Sequence, residues 1–152
     1  MTVRTINSAR NPQWADYDQT MIDLEVDFDE LDEVYVPFTA MANDCEPHGV
    51  TLWNNAVNGD YGAIAAYTPP ADITGDEAMR MLRGERDNLL AQTDWVETPT
   101  YWATLTTEKQ SEWYTYRNAL RNLPATYPNP SWVYDAQGIG SWSGVTWPTK
   151  PE

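Results

Sequence analysis

The pattern of residues 22–28 constrains the fold of this chain more than any other feature. Four apolar residues alternate there with three acidic ones, and this period of two predicts a β-strand with one buried face and one solvated acidic face. The apolar members are Ile22, Leu24, Val26 and Phe28. Residues 34–38 repeat the alternation after a polar loop at 29–33, so we expect the two strands to pair as an antiparallel hairpin. Pro37 lacks an N–H group, which places its strand at an edge of the sheet or ends it there.

The segments around this hairpin predict a small α+β module. Residues 2–8 are expected to form another strand and residues 61–67 a short one, whereas the tripeptide Asn11-Pro12-Gln13 indicates a turn. A helix is expected from Asp44, as its N-cap residue, to Gly59, a residue typical of helix ends. One helix packed across about three strands would bury the apolar face of the sheet.

Residues 71–126 carry the patterns of two helices. Thr74 and Glu77 have the spacing of a capping box, which predicts the start of a helix that continues to about residue 93. Thr106 or Thr107 is expected to cap the second helix, and Pro124 to end it. Because the connection between them is rich in aromatic residues, we expect two antiparallel helices joined by an aromatic loop.

Prolines divide the chain into three parts. The tandem prolines after Thr68 predict a linker, and Pro124, which two further prolines follow, predicts a second boundary. The expected organisation is α+β overall, with an acidic N-terminal module at 1–70, a helical module at 71–126 and an aromatic-rich extended segment at 127–152. The last part has turn residues near 135–140 that allow a small hairpin, and its end either docks through Trp147 or stays loose.

The charge of the chain argues against several classes of partner. Its 23 acidic and 9 basic residues give a net charge of −14 and a sequence pI of about 4.2. Nucleic acids and anionic membrane surfaces bind through Lys and Arg, so neither is an expected partner. No apolar stretch approaches the roughly 18 residues of a spanning helix, and residues 1–7 lack the apolar core of a secretory signal. The presence of one cysteine fits a protein made in a reducing cytoplasm.

Candidate catalytic and metal-binding residues are few. His48 is the single histidine and is expected to have a surface or capping role, while the acidic surroundings of Cys45 disfavour a reactive thiolate. Zinc needs more Cys or His than the chain has, and the acidic run at residues 27–33 lacks the spacing of an EF-hand. We therefore expect no catalytic residues, no metal and no cofactor, and a protein that is not an enzyme.

Three segments of the second half resemble a known protein family. Residues 83–95 resemble the R-x-x-R-(D/N)-x-L-L-x-x-(T/S)-D-W signature of phage tail assembly chaperone domains. Residues 110–124 resemble the W-x-x-Y-R-x-x-L-R-(D/N)-L-P segment of the same family, and residues 145–151 resemble its closing W-P-x-x-P. The signature positions are Arg86, Leu89, Asp94, Trp95, Trp113, Tyr116, Arg117, Leu120, Arg121 and Trp147.

The resemblance implies a chaperone that binds the distal, C-terminal part of a trimeric phage tail fibre and assists its folding. Such a protein would act in the host cytoplasm during assembly, and the resemblance allows either release or retention in the virion tail. The alternative is a structural or receptor-contacting component of the tail fibre or baseplate without a chaperone role. The role of the acidic loop is open in both cases.

The aromatic residues supply candidates for partner contact. The chain has 8 Trp and 9 Tyr against 2 Phe, and both residue types combine a large apolar body with a polar group that suits interfaces as well as cores. The candidates in expected loops are Trp95, Trp102, Trp132 and Trp142. Arg86, Arg117 and Arg121 are expected to hold the helical module together, either by stacking on aromatic rings or by pairing with Asp87 and Asp94.

Overall fold

The structure is a computed structural model that describes residues 4–31 and 34–152. It has the expected α+β architecture, with five strands and four α-helices in these two ranges. The chain divides into two compact units, Met1–Pro70 with Tyr134–Ile139 and Ala71–Val133 with Gly140–Glu152. The division into three modules stays a prediction. Of the helices described, none is long and apolar enough to cross a membrane.

The first unit contains a three-stranded antiparallel sheet. Its strands are β1 (Ile6–Trp14), β2 (Met21–Phe28) and β3 (Tyr35–Met41), in the order β1-β2-β3. The predicted alternation is confirmed, because all four apolar side chains of residues 22–28 are buried. The predicted hairpin also forms, with Leu24 opposite Phe38 and Val26 opposite Val36. β3 is an edge strand, as Pro37 requires.

β1 is longer than predicted because the turn at Asn11-Pro12-Gln13 does not form. The tripeptide lies inside the strand as a bulge: Asn11 has a φ of 53°, and the pairing with β2 shifts register between Arg10 and Gln13. Asn tolerates the left-handed conformation better than most residues do. A tripeptide that is typical of a turn can therefore form a bulge, which adds unpaired residues to one strand. The predicted strand at 2–8 overlaps β1 from Ile6 onwards, and residues 2 and 3 lie outside the described part of the chain.

α1 (Pro47–Asn58) supplies the helix of the first unit. Leu52 and Ala56 are fully buried in the same apolar cluster as the β2 side chains, so one face of this helix covers one face of the sheet. The helix ends at Gly59, whose φ of 88° is the left-handed conformation that glycine adopts without steric cost. The predicted stop is therefore confirmed.

Two local predictions for the first unit are wrong. The N-cap residue of α1 is Glu46, because Asp44 instead accepts a hydrogen bond from the Glu46 amide, at 2.9 Å, in the turn before the helix. Residues 61–67 do not form a strand and contribute one isolated bridge, between Ala65 and Gln13. The segment is short and largely apolar, which favours a strand, but the sheet gains no fourth full strand from it.

The second unit is built on two helices, α2 (Gly75–Ala91) and α4 (Thr107–Thr126). The predicted cap of α4 is confirmed, since the Thr106 hydroxyl accepts from the Lys109 amide at 3.3 Å. The capping box of α2 is wrong: Thr74 is the N-cap residue, but its side chain makes no cap hydrogen bond. The Glu77 carboxylate pairs instead with Arg80, at 2.7 Å.

α4 continues past Pro124, where it was expected to end, to Thr126. Proline removes one backbone hydrogen bond and disfavours the helical conformation of the residue before it. Leu123 is that residue, and its side chain is 3% exposed, so burial in the second unit offsets the local penalty. The amide of Tyr127 then closes the last turn on the Leu123 carbonyl.

The remaining segments are more ordered than predicted. The connection between the long helices contains a 3-10 helix (Asp94–Glu97) and a one-turn helix, α3 (Pro99–Trp102). The predicted small hairpin is confirmed as β4 (Ser131–Tyr134) and β5 (Gly140–Ser143). Trp147 packs against the apolar cluster of the second unit, so this end of the chain docks through its tryptophan, one of the two outcomes expected.

Candidate functional site

The core of the second unit consists mainly of family-signature side chains. Trp113, Tyr116 and Leu120 lie three and four residues apart on α4, and all three are buried together with Val96 of the 3-10 helix. Leu89, Leu90, Trp102, Leu105 and Trp147 pack around them. Burial raises the pKa of the Tyr116 phenol, and the positive charge of Arg117 lowers it by less. The two helices are thus held by an aromatic core.

Arg117 is the polar centre of this unit. Its side chain is 4% exposed, and one guanidinium nitrogen donates to the Leu90 carbonyl at 3.0 Å and to the Thr93 hydroxyl at 2.7 Å. The other terminal nitrogen donates to Asp94 at 2.7 Å and lies 2.9 Å from the Glu97 carboxylate. One side chain therefore joins α4 to the end of α2 and to the 3-10 helix.

The other two arginines of the signature are more peripheral. Arg121 lies 3.3 Å from Glu97, with both side chains 44% exposed, so solvent screens this pair. Arg86 is more enclosed, with an exposed fraction of 18%, and its Nε lies 2.6 Å from Asp87 without hydrogen-bond alignment. Of the two modes weighed from the sequence, carboxylate pairing is the contact that Arg86 and Arg117 make.

Trp95 and Tyr101 form an exposed pair that we call the aromatic platform. Their ring centroids are 4.6 Å apart at an interplanar angle of 67°, and the two side chains are 48% and 38% exposed. The Trp95 indole N–H donates to the Gln92 carbonyl at 3.0 Å, and its ring meets the edge of buried Trp113 at 6.3 Å. The platform is thus apolar, accessible and held in place from below.

The other three candidate tryptophans are less accessible. Trp102 is half-buried against the aromatic core. Trp132 and Trp142 are half-buried against each other across the hairpin, with ring centroids 5.2 Å apart, and the Trp142 indole donates to Glu85 at 2.7 Å. Partner contact by any of the four stays a prediction, but Trp95 offers the largest free surface among them.

The second unit also has a shallow groove on its surface. It is formed by α4, through residues such as Thr115 and Ala119, and by the C-terminal prolines Pro148 and Pro151. Its volume is about 450 Å³ and most of its lining is apolar. The C-terminal residues of the family signature thus shape a surface as well as anchoring the chain end.

The two residues considered for catalysis, Cys45 and His48, lie in different environments. Cys45 is exposed, whereas His48 is 8% exposed and packs against the rings of Phe28 and Phe38, so the surface role, one of the two roles expected for His48, is wrong. Its position at the start of α1 turns the side chain onto the apolar face of the sheet. In residues 4–31 and 34–152, no group of three His, Cys, Asp or Glu side chains is arranged to hold a metal ion.

Sequence reasoning missed two residues of this site. Tyr101 is half of the platform, and Glu97 shares the Arg117 guanidinium with Asp94. The signal for Tyr101 was a proline two residues earlier, because Pro99 starts the short helix that carries it. Glu97 follows Asp94 by three residues, a spacing that places both carboxylates on one side of a tight helical turn.

Comparison with known proteins connects this unit to one family. Residues 79–152 match the family described as phage tail assembly chaperone protein, which confirms the resemblance of the three segments. The match covers α4, the aromatic platform, the Arg117 contacts and most of α2. Comparison with curated proteins and with solved structures gave no match.

Proposed function

Because residues 79–152 match the phage tail assembly chaperone family, we propose that this chain is a non-enzymatic assembly chaperone for a tail fibre. It binds the distal, C-terminal part of a trimeric fibre and assists its folding in the host cell, and it then either leaves the fibre or stays with it in the virion tail. The family match is the observation that carries the proposal.

The folding problem of a fibre tip explains why such a partner is useful. Trimeric, β-rich tips depend on pairing between distant residues and between chains, so they fold slowly and expose apolar surface and strand edges meanwhile. A chaperone of this kind needs an accessible apolar surface that is rigid enough to bind without a large ordering cost.

The aromatic platform has these properties. Trp95 and Tyr101 are 48% and 38% exposed, and the indole N–H of Trp95 is already bonded within the unit. Asp94 and Glu97 place carboxylates at its margin, where both are tied to Arg117. Aromatic side chains dominate the energetics of many interfaces, and truncating one such residue commonly costs about 2 kcal/mol or more of binding.

The proposal is tested by co-expression of this chain with the fibre protein encoded beside it, with an affinity tag on this chain. We expect soluble fibre to be recovered when the chain is present and aggregated fibre when it is absent. The double variant Trp95→Ala/Tyr101→Ala should weaken the purified complex by at least about 30-fold, the equivalent of 2 kcal/mol.

Tyr17→Ala is the matched control, because Tyr17 is a 51% exposed aromatic residue of the first unit, outside the matched family region. The control should bind like the parent chain, and circular dichroism should show that both variants stay folded. A fibre that folds alone and ignores this chain would overturn the chaperone role. Recovery of the chain in purified particles tests its retention in the virion.

A further inference from the structure

A solvent-open pocket of about 480 Å³ lies in the first unit, at the start of α1. Phe28 of β2 and Phe38 of β3 form aromatic walls. Arg4, Glu46 and His48 supply the polar groups. The pocket lies outside residues 79–152, so its role is independent of the family match.

Two of the residues that line this pocket carry a polar atom without a hydrogen-bond partner. Within the described part of the chain, Oε2 of Glu46 and Nδ1 of His48 are buried without a hydrogen-bond partner. The His48 side chain is more than nine-tenths buried, and Nδ1 accepts a hydrogen bond when the neutral ring carries its proton on Nε2. A buried polar group without a partner is costly, and a ligand that supplies N–H donors recovers that cost.

The chain's own Arg4 indicates which donor fits. Its guanidinium carbon lies 5.3 Å from the centre of the Phe28 ring, at cation–π distance. Arg4 is exposed, so its stacking on this wall shows that a guanidinium group is compatible with the aromatic surface beside the two acceptors. A planar guanidinium carries five N–H donors, enough to serve a carboxylate and an imidazole from one stacked position.

Charge favours the same ligand. Residues 1–70 contain two arginines and twelve Asp and Glu residues, a net charge of −10. A negative field of this size attracts cationic groups and repels anionic ones. Anionic ligands, which helix N-termini otherwise bind, are disfavoured here because Glu46 stands at the start of α1.

We propose that this pocket binds the guanidinium group of an arginine side chain presented by a protein partner. The guanidinium displaces Arg4 from the ring of Phe28, which is 2% exposed while Arg4 lies over it, and donates to the Glu46 carboxylate and to Nδ1 of His48. A small rotation of the Glu46 carboxylate brings an oxygen to the entering donor. Arg4 competes for the same surface from within the chain.

The full chain provides its own reporter, since His48 is its single histidine. The probe is N-acetyl-arginine amide, titrated at pH 8 while the ring resonances of His48 are followed by NMR. We expect a saturating shift with a midpoint in the millimolar range, as suits one side chain without the rest of its partner. The neutral citrulline derivative, which has nearly the same shape, should give no saturable shift.

Two variants and one control locate the site. Glu46→Gln should raise the midpoint about tenfold, the effect of one charge-assisted hydrogen bond, and Arg4→Ala should lower it by removing the competitor. Asp18→Asn, which removes an exposed acid of the same unit, should leave the midpoint within about twofold.

An equal response to citrulline, a shift that never saturates, or an unchanged midpoint in Glu46→Gln would overturn the proposal. If Glu46→Gln fails to fold, Arg4→Ala decides, because an unchanged or raised midpoint in that variant contradicts competition for the pocket.

Discussion

Replacing Arg117 by alanine tests the account of the second unit most directly. The substitution removes the hydrogen bonds to the part-buried Leu90 carbonyl and to the buried Thr93 hydroxyl, and two contacts with the carboxylates of Asp94 and Glu97. We therefore expect a loss of stability rather than a local rearrangement.

The magnitude follows from the exposure of the partners. Each of the two bonds from the charged guanidinium to a neutral partner contributes about 1.5 kcal/mol, which gives about 3 kcal/mol for the two. The carboxylates of Asp94 and Glu97 are 67% and 44% exposed, so solvent screening limits their joint contribution to about 1 kcal/mol. Nε of Arg117 is buried without a partner, and removing it returns about 1 kcal/mol. The net loss should be about 3 kcal/mol in the free energy of unfolding.

Urea unfolding followed by tryptophan fluorescence measures this loss. Six of the eight tryptophans lie in the second unit, so the signal reports mainly on the unit that carries Arg117. Arg117→Lys should lose about 1–2 kcal/mol, because it keeps the charge but not the fork of donors. Glu97→Gln should lose less than about 1 kcal/mol. A loss of stability below 1 kcal/mol for Arg117→Ala would refute the reasoning. So would a loss for Glu97→Gln that is larger than the loss for Arg117→Ala.

Two further predictions concern single sites. Gly140→Ala should destabilise the second unit by about 1–3 kcal/mol, because a Cβ at this position collides with the Trp132 indole. Gly84→Ala should stabilise the unit by about 0.5–1 kcal/mol, because a Cβ on this part of α2 meets open space. Urea unfolding measures both changes. Burial raises the pKa of Asp16, but hydrogen bonds from the Thr20 hydroxyl and from the Met21 and Thr20 amides outweigh it, so the pKa lies below its ordinary value of 3.8. The stability that Asp16 contributes is therefore present above pH 3.8 and lost as the pH falls through the lower folded-state pKa; an NMR titration should show this value rising in Thr20→Val.

The main elements of the fold could be predicted because their signals are local. Alternation over residues 22–28 identifies a half-buried strand without knowledge of its neighbours, and the spacing of Trp113, Tyr116 and Leu120 identifies one face of a helix. Both patterns indicate which side chains are buried, and the burial of these side chains stabilises the elements. The positions of the strand and the helix could therefore be predicted from the patterns.

The errors occur where distant contacts outweigh local preference. Pro124 would end an isolated helix, but burial of the residue before it keeps α4 intact for two further residues. Asn11 would sit in a turn in a short peptide, but pairing with β2 continues on both sides of it and converts the turn into a bulge. The partner of the bulge, β2, lies outside any short stretch of sequence around Asn11.

The candidate site shows the same division. The signature positions could be picked out from the sequence, but their arrangement could not, because Arg117 and its partner Thr93 are separated by 24 positions. The exposure of the platform was also beyond sequence reasoning. Three of the four tryptophans chosen as contacts are half-buried. No local sequence pattern predicts the contacts that bury them.

The structure suggests that the family signature encodes a frame rather than a binding surface. Trp113, Tyr116, Arg117 and Leu120 are all buried, and the exposed Asp94 is tied to Arg117. Trp95 belongs both to the frame and to the surface. Its N–H donates to the Gln92 carbonyl and its ring contacts Trp113, while nearly half of the residue stays accessible. Its neighbour Tyr101 lies outside the three segments that resemble the family. Selection for a particular partner can therefore change Tyr101 without disturbing the frame, whereas a change at Arg117 disturbs the frame and, with it, the position of Trp95.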